Sequence, residues 1–300
     1  MTGPRRPTRA TTAGRAYLDL QNLARRRARP TDELHQLYAL EGFLARLAIS
    51  PHADRLVLKG GALLAAYGSR RPTRDIDLQA RSIQAEHDQV RLLVSGIAAL
   101  DVDDGLVFDA AAAAAYTIRD DDEYSGVRVK VAATLANARL SLHVDVNVGD
   151  PIWPAPATVE VPRLLGGSIT VAGYPLPMVL AEKTITALQR GTANTRWRDF
   201  ADIYLLTRRH RIDGADLRRC LLEVSAYRRV APSPLGVVLE GYPALGQQGW
   251  AAWRRRSGLG DLVPASFADL LAAVVDFADP VLVAVEPSPD RWDPDSRRWV

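Results

Sequence analysis

The sequence predicts an α/β (α+β) chain: a mixed β-sheet flanked by helices over residues 1–170, then a helical domain with an extended tail over 171–300. Three observations carry this expectation. Runs such as "DRLVL", "RDIDLQA" and "RLSLHVDVNVG" have the short apolar or alternating pattern of strands, and helical stretches separate them. From about Tyr174 the apolar spacing turns helical, with proline at a helix start and glycine at its end. The 300 residues, 47% hydrophobic and 24% charged, give length for one large or two smaller buried cores.

Residues 1–12 read as disordered, and "AGRAYLDLQNLARRRA" as an amphipathic helix. A second helix, "TDELHQLYALEGFLARLAIS", starts with Thr31 as its cap and stops at Pro51. "DRLVL" is a buried strand, Gly60-Gly61 opens the helix "ALLAAYG", and "RDIDLQA" is the next strand. Ser82 is expected to cap a helix running to about Leu100. "SGVRVKVAATL" and "RLSLHVDVNVG" are neighbouring strands of one sheet, and "RDDDEYSG" is a turn. In the second half, "PMVLAEKTITALQR" ends at Gly191, and "WRDFADIYLLTRR", "GADLRRCLLEVSAY" and "SFADLLAAVVDFA" are further helices. Ser233 to Gly260 is Gly/Pro-rich, and the tail from Pro280 reads as an extended arm. No internal repeat is visible.

Composition narrows the function classes. No apolar run reaches the ~18 residues of a membrane span, and "MTGPRRPTRATTAGRAY" has no apolar core of a secretory signal. The single Cys220 forbids an internal disulfide, so the expected setting is the cytoplasm. No Cys/His cluster has zinc spacing. Of 38 basic residues only Lys59, Lys130 and Lys183 are lysines. A compact ammonium cannot be replaced by the arginine fork, which makes these three positions worth following. Arginine runs at 25–27, 70–71, 208–209, 218–219, 228–229 and 254–256 suit a polyanionic partner.

The chemistry gathers around "LVLKGGALLAAYGSRRPTRDIDLQA". Residues two apart on a strand face one side, so Asp75 and Asp77 point together while Ile76 and Leu78 face the core. Paired carboxylates raise each other's pKa unless a cation neutralises them, and hard oxygen donors suit Mg²⁺ or Mn²⁺. Asp145 in "LHVDVNVG" shares a face with His143 and Asn147. Neighbouring strands would bring three carboxylates together, enough for a two-metal displacement at phosphorus. Gly60 and Gly61 let the backbone approach a phosphate, and Lys59 stands just before them.

The order K-G-G, then R-x-T-x-D-I-D, resembles the nucleotidyltransferase toxins of the abortive-infection AbiEii type, a group that includes the mycobacterial MenT toxins. They lie within the DNA-polymerase-β-like nucleotidyltransferase superfamily. A second signature, a helix lysine followed by R-x-[KR]-D-x-x-D, is matched by Lys183 and then Arg196, Arg198, Asp199 and Asp202. The likeness covers roughly residues 35–210. The chain has Gly60-Gly61-Ala62 where the family commonly has Gly-Gly-Thr, so phosphate contact falls to backbone amides.

The resemblance implies an NTP-dependent transferase in which Asp75, Asp77 and Asp145 hold Mg²⁺ or Mn²⁺ and Lys183 holds the departing phosphates. Asp199 lies in the catalytic pocket and Asp202 supports it. Lys59, Gly60, Gly61, Thr73, Arg196 and Arg198 are nucleotide-binding candidates, and Thr73 is also a candidate phosphosite. It further implies transfer of a nucleoside monophosphate to the 3′ acceptor end of tRNA, an adjacently encoded antitoxin, no membrane, and a monomer. Two other readings stay open: an aminoglycoside-type enzyme with a small acceptor, for which the arginine-rich flanks of Asp199 are unsuited, and a non-catalytic nucleotide- or RNA-binding module.

Overall fold

In the computed structural model the described residues are 6–83, 86–118, 126–283 and 289–300. Two compact units divide the chain, Met1–Gly149 with Ala157–Gly173, and Asp150–Pro156 with Tyr174–Val300.

The first unit opens on α1 (Thr12–Arg26) and α2 (Thr31–Ala48). Thr11 caps α1 by accepting from the Gly14 amide; residues 1–5 of the expected disordered segment lie outside the described residues. Thr31 is already helical, with Pro30 at the cap position, because proline presets the turn without a side-chain bond. There follow β1 (Leu56–Lys59), a single helical turn α3 (Gly60–Leu63), β2 (Asp75–Ala80), α4 (His87–Ala98), β3 (Leu106–Ile118), β4 (Gly126–Leu135), β5 (Ala138–Val148), β6 (Ala157–Pro162) and β7 (Ser168–Gly173). Ser82 does not cap α4: it takes a positive φ of 53°, and Glu86 is the residue before the helix. The expected turn at 119–125 lies outside the described residues.

All seven strands form one mixed sheet in the order β3-β4-β5-β2-β1-β7-β6. β2 runs parallel to β5 and antiparallel to β1, and β4 runs antiparallel to β5. Ile76, Leu78, Val144 and Val146 are buried, which fixes the register: a one-residue slip would turn these apolar groups out and the aspartates in. Arg46 of α2 is buried with Asp104, donating at 2.6 and 3.2 Å and also to the carbonyls of Gly42, Leu100 and Leu106. Such a charge is tolerated inside because every donor is directed at an acceptor.

The second unit contains α5 (Leu176–Arg190), α6 (Trp197–Thr207), β8 (Ile212–Asp213), α7 (Gly214–Arg228), α8 (Leu235–Val238), α9 (Tyr242–Ser257), α10 (Phe267–Leu282), β9 (Arg291–Asp293) and β10 (Arg298–Trp299). Its core is aromatic: Phe267 packs against Trp197, Phe200, Tyr242 and Trp250 at 5.1–5.9 Å between ring centroids. The Gly/Pro-rich stretch therefore holds two helices. Gly246 and Gly249 are in α9 because a Cβ there would come within 2.5 Å of Phe267 or Trp197. The tail is also no free arm: β9 and β10 pair, β9 adds to β8, and Trp292 donates to the Thr207 carbonyl at 2.7 Å.

Candidate active site

The sheet of the first unit carries a charged row along one face. In register across four strands stand Lys59 on β1, Asp77 on β2, Asp145 on β5 and Arg128 on β4. One step along, Asp75, His143 and Lys130 form a second row on the same side. Cross-strand neighbours of this kind bring their Cβ atoms to ~4.5–5.5 Å. The face thus presents an acidic centre, Asp75, Asp77 and Asp145, with cationic side chains on both flanks.

Its polar groups are engaged. Arg128 donates from Nε and Nη2 to the two oxygens of Asp145, at 2.8 and 2.7 Å. His143 Nδ1 lies 3.1 Å from Asp75 Oδ1. The hydrogen bond to Asp145, and beyond it the negative field of Asp145, Asp75 and Asp77, raise the Arg128 pKa above its ordinary value despite partial burial. A guanidinium held this way marks the centre as one that favours positive charge. Among the described residues, no three His, Cys, Asp or Glu side chains are gathered as a metal cage; Asp145 is turned onto Arg128 and Asp75 onto His143.

Gly60 makes the approach to this centre possible. It has φ +63°, and a Cβ there would lie 1.9 Å from Asp77 Oδ2. Only a residue without a side chain lets the backbone lie against that carboxylate. Gly61 is packed less tightly, its ideal Cβ falling 3.0 Å from Thr73 Oγ1 and 3.2 Å from the Arg71 guanidinium. The half-buried Thr73 hydroxyl donates to the Asp75 carbonyl at 3.4 Å. Gly61, Arg71 and Thr73 line a small pocket with Glu41 and Arg70, which pair at 2.7 Å. Lys59 itself is buried.

The second unit holds a separate buried cluster. Lys183 on α5 donates to Asp199 Oδ1 at 2.9 Å and to Asp202 Oδ2 at 2.7 Å, both on α6. Arg196 Nε donates to the other Asp199 oxygen at 2.5 Å. The three-residue spacing that predicts one helical face for Asp199 and Asp202 is what lets a single ammonium bridge them. Burial pushes the Asp199 carboxyl up, but the charges of Lys183 and then Arg196 outweigh it and hold the group well below the usual carboxylate range. Two cations and two anions leave the cluster neutral, which is how such a set persists inside a protein. Arg198 is exposed beside it.

Sequence reasoning placed Asp75, Asp77, Asp145 and His143 on one face, and the structure brings them together. It missed Arg128, and it singled out Lys130 only as one of three lysines, without placing it at this face. The alternation in "VRVKV" puts both on one side of a strand, but only the observed register sets them beside Asp145 and His143.

A strand ending at a lysine, a positive-φ glycine seated on an aspartate, and a carboxylate row on the next strands are in keeping with the nucleotidyltransferase class that the sequence motifs resemble. The chain belongs to the AbiEii family: the family model for the nucleotidyl transferase AbiEii toxin of type IV toxin–antitoxin systems matches residues 42–273. The match runs well past residue 210, where the motifs recognisable by eye end. Among solved structures, a candidate nucleotidyltransferase from H. pylori is 14% identical, covering 81% of this chain and 92% of that one, with a TM-score of 0.49. JHP933 from Helicobacter pylori is 15% identical over 80% and 94% of the two chains, with a TM-score of 0.40. No curated protein matches. Family membership makes the chain a nucleotidyltransferase toxin with an NTP substrate and an antitoxin partner. No helix among the described residues is long and apolar enough to cross a membrane.

Proposed function

We propose that the protein is a metal-dependent toxin that transfers a nucleoside monophosphate from an NTP to the 3′ acceptor end of tRNA, blocking aminoacylation and translation as a cytoplasmic monomer. The observation that supports this best is the row Lys59–Asp77–Asp145–Arg128, with Asp75 one step away on the same face. Its all-oxygen donor set fits Mg²⁺ or Mn²⁺, and Asp75, Asp77 and Asp145 are the residues that would hold it. A divalent ion there supplies charge neutralisation at the reacting phosphoryl group.

Gly60 and Gly61 give the triphosphate access to backbone amides, with Lys59 beside them. The acceptor hydroxyl oxygen bonds to the α-phosphorus as the bond to the bridging oxygen breaks; pyrophosphate leaves, and the hydroxyl proton passes to solvent. By the family resemblance Lys183 is the candidate for the departing phosphates, with Asp199 and Asp202 setting its position and Arg196 and Arg198 as candidate phosphate contacts. Thr73 doubles as a phosphoacceptor: a phosphate there adds negative charge next to Asp75 and opposes cation and triphosphate binding. The antitoxin is encoded next to the toxin.

Expression in a bacterial host tests the reading. Growth arrest should occur, tRNA from arrested cells should carry extra 3′ nucleotides, and Asp75→Ala and Lys183→Ala should abolish both. Aminoglycoside resistance without arrest would instead point to a small acceptor.

A further inference from the structure

We propose that Arg128 is a built-in counterion that competes with the divalent cation for Asp145, so that the cation is admitted only as the guanidinium swings away. This rests on the metal centre proposed above. Arg128 spans both oxygens of Asp145 at 2.8 and 2.7 Å, leaving that carboxylate saturated from one side by a bidentate, charge-assisted pair. The pairing is built into the sheet, since the two residues face each other in the β4–β5 register.

The two side chains differ in freedom. The Asp145 side chain is 10% exposed, whereas that of Arg128 is 39% exposed. Val127 and Val129, buried on either side of Arg128, anchor β4. The guanidinium can therefore leave on its long stem without disturbing the strand, whereas Asp145 cannot follow it. Two consequences follow. Without a cation, Arg128 and the flanking Lys59 relieve repulsion among three carboxylates on one face. With a cation on Asp145, the released guanidinium becomes a free positive group at the rim of the centre, fitted to a phosphate oxygen. Arg128 is thus a positioning residue that exchanges stability of the cation-free fold against cation affinity.

The test uses the full chain and Mn²⁺ alone, with free Mn²⁺ read by electron paramagnetic resonance and stability by thermal melting. Arg128→Met should lower the melting temperature without metal, yet bind Mn²⁺ about tenfold or more tightly than wild type, the scale of losing a charge-assisted pair. Arg128→Lys, a point donor in place of a fork, should fall between the two and decides the matter if the Met variant does not fold. A lower melting temperature with Mn²⁺ affinity unchanged or weakened would reduce Arg128 to a structural ion pair and overturn the proposal while leaving the metal centre standing. Absence of Mn²⁺ binding in wild type and both variants would overturn the metal centre and this inference together.

Discussion

Gly60→Ala is the substitution whose consequence the geometry fixes most tightly. A methyl group at Gly60 would lie 1.9 Å from Asp77 Oδ2, 2.5 Å from its Cγ and 2.8 Å from its Cβ. Real Cβ contacts essentially never fall below 3.0 Å, so the carboxylate oxygen must retreat by about 1.1 Å. The φ of +63° adds a strain of about 1–2 kcal/mol for any residue with a side chain. A misplacement of about 1 Å at a reacting centre costs on the order of 10²-fold in rate. Incorporation of labelled nucleotide should therefore fall about a hundredfold in Gly60→Ala, while urea denaturation shows a loss of only about 1–2 kcal/mol. Gly61→Ala, with nothing nearer than 3.0 Å, is the internal control and should lose much less activity. Wild-type labelling by Gly60→Ala, or a larger loss in Gly61→Ala, would refute the claim that the glycine turn sets Asp77.

Three further outcomes follow from other parts of the molecule. Trp292→Ala removes a buried indole that packs at 5.0 Å on Phe277 and donates to Thr207; it should cost about 3–5 kcal/mol in chemical denaturation, whereas a free tail would lose almost nothing. Asp199 has a depressed pKa, so its stabilising contribution is present above the ordinary carboxylate value and drains away as pH falls through the folded value. Denaturation midpoints from pH 6 to pH 3 should accordingly drop less steeply in Asp199→Asn than in wild type. His35, buried against Tyr17 at 4.5 Å, has its pKa lowered chiefly by burial, so the unfolded chain binds a proton that the folded one refuses. Stability should fall as pH drops below about 6.5, and His35→Phe should flatten that decline in thermal melts.

How far these features could be read from residues alone depends on whether they are local. Asp75 and Asp77 were legible because alternation with buried Ile76 and Leu78 is a property of one strand. The bridge from Lys183 to Asp199 and Asp202 was half legible: helical spacing aligns the aspartates, but nothing in the sequence says that the lysine reaches both. β3 was not legible, because "DAAAAAAYTI" has the propensity of a helix. It is a strand only through pairing with β4, across a register shift between Asp109 and Ala114. α9 was hidden by glycines that read as breakers yet are required for ring contact. The tail carried its signal in Trp292 and Trp299, whose partners at Phe277 become visible only in three dimensions. Arg128 was missed for the same reason: a counterion is defined by register.

The central claim is nucleotide transfer to RNA from the acidic face of the sheet. Incubation of the purified protein with total RNA, Mg²⁺ and each radiolabelled NTP in turn tests it most directly. Label should appear at the 3′ end of tRNA with the wild-type chain and be absent with Asp77→Asn of unchanged circular dichroism. Equal labelling by Asp77→Asn, or a wild-type chain that labels no RNA with any of the four nucleotides, would contradict it.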